Sequence, residues 1–187
     1  MNREQIIELL KESGVIMEGH FLLTSGRHSG LFLQFSRLFQ YPESTSAICT
    51  LMADPYRDEG VETVIGPAMG GIIPAYESAR QLQARALFAE PSGDRMILRR
   101  GFSIQPGERV LVVEDAVTTG GSVQKVLDLL QALKADVAGV SVLADRSGGR
   151  VDFGMPFKAL LTMEVESYPV DNCPLCVEGI TLQKPKG

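Results

Sequence analysis

One stretch constrains the fold more than any other: Val110-Leu111-Val112-Val113-Glu114-Asp115-Ala116-Val117-Thr118-Thr119-Gly120-Gly121-Ser122. Its four consecutive apolar residues, mostly β-branched, predict a strand buried on both faces, as in a parallel sheet covered by helices. Glu114 and Asp115 follow where such a strand is expected to leave the sheet. The small, polar, glycine-rich run Thr118 to Ser122 then passes into the helical periodicity of Val123, Val126, Leu127 and Leu130. Strand, tight loop and helix N-terminus in that order form the place where open α/β sheets bind ligands.

The residue types define the ligand's chemistry. Glycines let backbone N–H groups approach closely, and the unpaired N–H groups and positive dipole end of a helix favour a phosphate. Thr118, Thr119 and Ser122 add hydroxyl donors. Glu114 and Asp115 would repel that phosphate if they faced it, and serve better as acceptors for sugar hydroxyls. Phosphate and vicinal hydroxyls together describe a ribose 5-phosphate. A charged strand end followed by a capped helix would account for the glycines and threonines separately, but not for the carboxylate pair joined to them.

Glu114-Asp115-Ala116-Val117-Thr118-Thr119-Gly120-Gly121-Ser122, after its apolar strand, resembles the phosphoribosyl pyrophosphate (PRPP) motif of type I phosphoribosyltransferases. It lacks the Gly-Lys-Ser/Thr ending of a Walker P-loop, which disfavours a nucleoside triphosphatase. The resemblance implies an α/β fold with a mostly parallel sheet flanked by helices and a small hood subdomain. The motif does not choose the acceptor base.

A chain of 187 residues, 44% apolar and 22% charged, fits one such domain with a sizeable core. Strands alternate with helices throughout, without internal repeats. The expected layout is a single unit over 1–187, with a core of about 41–164 and a hood from about 1–40 plus 165–187. A net charge of −5, from 18 basic and 23 acidic residues, argues against a general nucleic-acid or membrane-surface partner. No signal-peptide pattern and no bilayer-length apolar run is present in the sequence, so cytoplasm is the expected location.

Asn2 to Ser13 reads as a short amphipathic helix ended by Gly14, and Gly19 to Leu33 as a hairpin around Ser25-Gly26. Beside the PRPP motif, Phe21-Leu22-Leu23-Thr24-Ser25-Gly26-Arg27-His28-Ser29 resembles the hood segment of orotate phosphoribosyltransferases. This is the first feature pointing to a particular base, and it puts Ser25 among the orotate contacts. Many family members carry a substrate-contacting lysine where this chain has Thr24, so that contact does not carry over.

Pro42 to Gly60 predicts a helix that Pro55 kinks or splits. After a short strand at Thr63 to Gly66, the turn Ala68-Met69-Gly70-Gly71 leads into another helix. The resemblance makes it a pyrophosphate loop of backbone N–H groups, although many orotate enzymes have lysine where Gly70 stands. Following a strand at Arg85 to Ala89, the segment Glu90 to Phe102 reads as a mobile loop. In the family this loop closes over the site, often that of the neighbouring subunit. Relatives commonly have Arg-Lys where Glu90-Pro91 stands here, and the segment contains no lysine. Arg95, Arg99 and Arg100 are the candidates for catalytic charge on the pyrophosphate, with a solvated loop face as the alternative.

Val137 to Ala144 predicts a further strand, followed by Asp145-Arg146-Ser147-Gly148-Gly149. Arginine at the carboxyl end of a parallel strand points into the ligand crevice. Arg146 matches the family's arginine at this place, and Thr118 a position that also touches the base. Lys158 to Met163 closes the series of strands.

His20 and His28, the chain's two histidines, lie eight apart without a partner at metal-ligand spacing, and read as surface or packing residues. Asp171-Asn172-Cys173-Pro174-Leu175-Cys176 carries one Cys-x-x-Cys, which compact members of the orotate family also resemble. Packing is the preferred reading, with a redox pair or a metal shared between subunits left open.

The resemblance therefore implies transfer of the phosphoribosyl group from PRPP to orotate, giving orotidine 5′-monophosphate and pyrophosphate. It also implies Mg²⁺ held through substrate and water rather than directly by the protein, and a homodimer with shared sites. The rival readings are a phosphoribosyltransferase for another nucleobase and a non-catalytic PRPP-sensing regulator that binds nucleic acid.

Overall fold

A computed structural model of the chain describes residues 1–23 and 25–185. The first helix, α1 (Arg3–Glu12), is started by a reciprocal cap: the Asn2 side chain accepts from the Gln5 amide, and the Gln5 side chain accepts from the Asn2 amide. Two amides otherwise unpaired at a helix start are satisfied this way. β1 (Ile16–Leu22) and β2 (His28–Leu33) form the expected antiparallel hairpin. Thr24 lies outside the described residues.

α2 (Pro42–Ala53) opens on a proline and gives way at Asp54–Tyr56 to a 3₁₀ turn containing Pro55. Pro55 has no amide hydrogen to continue the α-helical ladder, so the helix divides where the sequence predicts. There follow β3 (Thr63–Pro67), α3 (Ile72–Leu82), β4 (Arg85–Ser92), β5 (Arg95–Ile97), β6 (Arg109–Val117), α4 (Gly121–Ala132), β7 (Asp136–Asp145), β8 (Phe157–Thr162) and the short α5 (Pro174–Val177).

The main sheet has the order β5-β4-β3-β6-β7-β8, with β5 antiparallel to β4 and every other pair parallel. From β3 the chain moves outward to β4; from β6 it moves the other way to β7 and β8. The strand order thus reverses between β3 and β6, and the loops leaving their carboxyl ends diverge to open a crevice.

Two details depart from the sequence reading. The segment expected to be a mobile loop is largely a hairpin: β4 continues to Ser92, turns through Gly93-Asp94, and returns as β5. Pro91 is accommodated because it faces Met96 in the outermost pair of strands, where a missing amide hydrogen is tolerated. The second departure concerns the carboxylates. β6 pairs with β3 only through Val112 but with β7 through Val117. Glu114 and Asp115 therefore leave the sheet on one side while remaining strand residues on the other.

Alternate residues of β6 serve two cores, as a strand's period of two requires. Leu111 and Val113 pack with Ile48, Met52, Ala75 and Ala79 of α2 and α3, and with Ile6 and Leu10 of α1. Val110 and Val112 pack on the opposite face with Val123, Val126, Leu127 and Leu130 of α4. No helix among the described residues is long and apolar enough to cross a membrane.

Candidate active site

The β6–α4 loop turns at Gly120, whose φ of +78 is left-handed and whose Cβ, if present, would lie 3.0 Å from Phe153 Cε1. Glycine meets both requirements. The loop and the start of α4 line a cavity of about 230 Å³, to which Glu114 and every residue from Ala116 to Ser122 contribute. Thr118, Thr119, Gly121 and Ser122 are exposed around it. The amides at the start of α4 and these hydroxyls give the cavity a donor lining suited to a phosphate.

Asp115 sits at the next position of the same strand. Glu114 is buried, and its Oε1 accepts from the Asp115 amide at 3.1 Å, while Asp115 Oδ1 accepts from the Ala116 amide at 2.6 Å. Neither carboxylate forms an ion pair within 4.0 Å among the described residues. Burial first, and the Asp115 charge second, push Glu114 well above the ordinary carboxylate range. Burial also raises Asp115, against the opposing pull of the Ala116 amide, Glu114 and the Arg146 guanidinium. Two crowded acceptors short of donors are ready for a ligand that brings hydroxyls.

The β3–α3 turn, Ala68-Met69-Gly70-Gly71, stands beside this pair and contains a cis Ala68–Met69 peptide bond. A Cβ on Gly70 would lie 2.8 Å from Asp115 Oδ2 and 2.9 Å from its Cγ. No side chain fits at residue 70 while Asp115 keeps its place, which gives the missing lysine a steric cause. Gly70→Ala is accordingly expected to displace the Asp115 carboxylate and raise KM for a substrate seated against it by about 10- to 100-fold, since misplacement by an ångström carries penalties of that order. Steady-state kinetics at varied concentrations of that substrate check this, with an unchanged KM as the contrary result.

A larger cavity of about 660 Å³ adjoins the loop, lined by Leu23, Thr118, Arg146, Arg150 and residues 164–168. Asp145 builds the turn that presents Arg146: its buried carboxylate accepts from the Ser147 amide at 2.7 Å and the Gly149 amide at 2.9 Å. The Arg146 amide donates to the Val117 carbonyl at 2.7 Å, fixing this turn to the end of β6. The Arg146 side chain is half-buried, and its Nε has no hydrogen-bond partner among the described residues. Burial lowers the Arg146 pKa, with Asp115 opposing. A desolvated, under-bonded cation on a cavity wall is suited to an anionic ligand. Arg150, by contrast, already pairs with Glu164 at 3.1 Å.

The structure thus brings together Glu114 to Ser122, the Gly70 turn and Arg146, and Thr118 lines both cavities. Leu23, Arg150 and the segment from Glu164 to Tyr168 are cavity residues that sequence reasoning missed. Their usable signal is position: residues 164–168 lie just beyond the carboxyl end of β8, on the edge where such sheets bind ligands. Ser25 is exposed at the hairpin tip, two residues beyond Leu23, and is not a wall residue of either cavity. Nor are Arg95, Arg99 and Arg100. Arg95 borders a groove with Lys125, Asp128 and Leu129 of α4. Arg99 is exposed, and Arg100 pairs with Glu90 at 2.8 Å while its guanidinium lies 5.7 Å from the Phe88 ring centroid.

Comparison with known proteins gives this geometry a context. Residues 34–171 match the family described as phosphoribosyl transferase domain. The orotate phosphoribosyltransferase of Desulforamulus reducens is 50% identical over 185 residues, covering 99% of this chain and 97% of the relative. That of Thermotoga maritima is 51% identical over 180 residues, covering 96% of each. The crystal structure of orotate phosphoribosyltransferase from Aeropyrum pernix aligns with a TM-score of 0.72 at 28% identity, over 84% of this chain and 93% of that one.

Proposed function

Because the chain belongs to the orotate phosphoribosyltransferase family, we propose that its larger cavity receives orotate and its β6–α4 loop holds PRPP. The protein transfers the phosphoribosyl group of PRPP to orotate, releasing pyrophosphate and forming orotidine 5′-monophosphate for pyrimidine biosynthesis. One observation carries the assignment of the base site: the half-buried Arg146 guanidinium, without a partner at Nε among the described residues, on the wall that Thr118 shares with the PRPP loop.

The residues then divide the work. The start of α4 with Thr118, Thr119 and Ser122 anchors the 5′-phosphate, and the Gly70 turn offers backbone donors to the pyrophosphate. Glu114 and Asp115 accept from the ribose hydroxyls and lie close enough to steady positive charge developing on the ring as pyrophosphate departs. Arg146 draws the orotate carboxylate to one end of the larger cavity, so that the ring nitrogen faces the sugar beside Thr118. A ring nitrogen as nucleophile needs no serine or cysteine, and the rate gain comes from alignment and charge stabilisation. The carboxylate pair also fits Mg²⁺, a hard ion that prefers oxygen and retains water. In this reading Glu114 and Asp115 would hold it through substrate and water rather than directly, and it would offset the pyrophosphate charge.

The pyrophosphate still needs cations, and among the described residues no lysine or arginine lines the β6–α4 cavity. We assign them to Arg95, Arg99 and Arg100 on the β4–β5 arm of a second subunit in a homodimer. The exposure of the three arginines and their absence from the walls of both cavities support this arrangement. A protein with all three of Arg95, Arg99 and Arg100 changed to Ala and a Glu114→Gln protein should each be nearly inactive. Mixed and allowed to exchange subunits, they should recover up to about a quarter of wild-type activity, since half the dimers are mixed and each has one intact site. No recovery despite proven exchange would place the arm in its own subunit's site. The cytoplasm suits this activity and a chain whose three cysteines form no disulfide.

Loss of orotate absorbance on mixing protein, PRPP, Mg²⁺ and orotate tests the function directly, with uracil and hypoxanthine run alongside. Turnover with orotate alone is the expected result. Turnover with another base, or PRPP binding without turnover, would overturn the reading.

A further inference from the structure

The hood carries a second cluster with a chemistry of its own. His20, His28, Cys173 and Cys176 converge so that one ligand atom from each lies within 4.8 Å of every other. His20 Nε2 is 2.9 Å from His28 Nδ1, 3.5 Å from Cys173 Sγ and 3.7 Å from Cys176 Sγ; Cys176 Sγ is 3.3 Å from His28 Nδ1. A tetrahedral zinc ion with nitrogen ligands at about 2.0–2.1 Å and sulfur ligands at about 2.3 Å spaces its ligand atoms by about 3.3–3.8 Å. The cluster therefore has nearly the right size before any adjustment, and it corrects the reading that His20 and His28 lack a partner at metal-ligand distance.

The fold explains how distant residues meet. The hairpin register pairs Leu22 with His28 and Phe21 with Ser29, which makes His20 and His28 diagonal neighbours on one face. The tail is stitched to both strands: Tyr168 and His28 exchange backbone hydrogen bonds, Gln183 donates to the His20 carbonyl at 2.7 Å, and Leu22 donates to Gln183 at 2.9 Å. Cys173 caps α5, and Cys176 lies within that short helix. His20 Nδ1 is 2.8 Å from the Ile180 carbonyl, so its proton belongs on Nδ1 and its lone pair on the nitrogen facing the cluster. An outer hydrogen bond of this kind orients metal-bound histidines. His20, His28 and Cys173 are buried.

We propose that His20, His28, Cys173 and Cys176 form a structural zinc site that fastens the C-terminal tail to the β1–β2 hairpin. Two imidazoles and two thiolates suit zinc rather than Mg²⁺, and four protein ligands leave no open position for catalysis. Binding releases the two thiol protons to solvent. The clamp lies behind the larger cavity, because Leu23 follows β1 directly and residues 164–168 lead into the stitched tail.

The first measurement is zinc content by mass spectrometry of purified, reduced protein grown with zinc, together with its Tm before and after chelation. The expected result is about one zinc per chain, retained through buffer exchange, and a Tm lower by about 5 °C or more once it is removed. Cys173→Ser and Cys176→Ser should lose the metal, and Cys49→Ala should keep it. If the serine variants fail to fold, cobalt answers the question in the wild-type chain. Co²⁺ added to reduced apoprotein should give the strong visible bands of tetrahedral cobalt and thiolate charge transfer in the ultraviolet. Zinc below about a tenth of an equivalent with no cobalt bands, or a native Cys173–Cys176 disulfide, would overturn the site. Neither readout depends on activity, so failure here leaves the orotate assignment standing.

Discussion

Arg146→Ala is expected to lower kcat/KM for orotate by about 100- to 1,000-fold, the scale set by removing a charge-assisted pair from a desolvated site. The same change should leave Tm unaltered or raised, because the guanidinium is half-buried and its Nε lacks a partner among the described residues. Arg146→Lys keeps the charge but loses the planar fork, so it should fall between the two. Affinity for PRPP should change little, since the phosphate loop and the carboxylate pair stay intact. Orotate kinetics, PRPP titration and a thermal melt on the three proteins separate these effects. Unchanged kcat/KM would remove Arg146 from the base site.

Glu114→Gln should combine loss of function with gain of stability. Glu114 is raised by burial and by the adjacent Asp115, so between its ordinary value of 4.5 and its raised folded value the native protein holds a proton that the unfolded chain has lost. Stability from this group is therefore greatest at acid pH and declines as pH rises through that window. An amide has no such proton to lose; it still accepts from the Asp115 amide and adds donors toward the Asp115 carboxylate. A Tm increase of a few degrees at neutral pH and a flatter stability profile are expected, because about 1 kcal/mol moves Tm by about 2–4 °C in a chain of this size. Affinity for PRPP should fall by about 100-fold, because the hydroxyl donors of bound ribose draw Glu114 into its charged form, which an amide cannot adopt. Melts across pH, with and without PRPP, test both halves. A destabilised variant would contradict the electrostatic account.

What the sequence made legible was local. The β6–α4 unit could be read because an apolar run, a glycine loop and a helical repeat are contiguous, and each has one dominant physical explanation. The division of α2 at Pro55 is similarly a property of one residue. The β4–β5 hairpin escaped because Pro91, Ser92, Gly93 and Asp94 favour turns, while the pairing that makes them a strand end depends on Met96 and the edge of the sheet. The extension of β6 through Glu114 and Asp115 depends on β7, some thirty residues later. The histidine–cysteine cluster was hidden for the same reason on a larger scale. Its members meet only when the tail joins the hairpin at Tyr168 and Gln183. The Cys-x-x-Cys spacing shows half of the cluster, but nothing in residue spacing links it to His20 and His28.

Thr118 belongs to both cavities. Under the proposed assignment the two substrates thus share one wall residue, a common partition that lies beside both. A rotamer chosen in the presence of one guest is the rotamer the other finds. Whatever factor PRPP imposes on orotate affinity through that threonine, orotate must impose in return on PRPP. The partition makes the order of arrival a matter of kinetics, while thermodynamics treats the pair as one event.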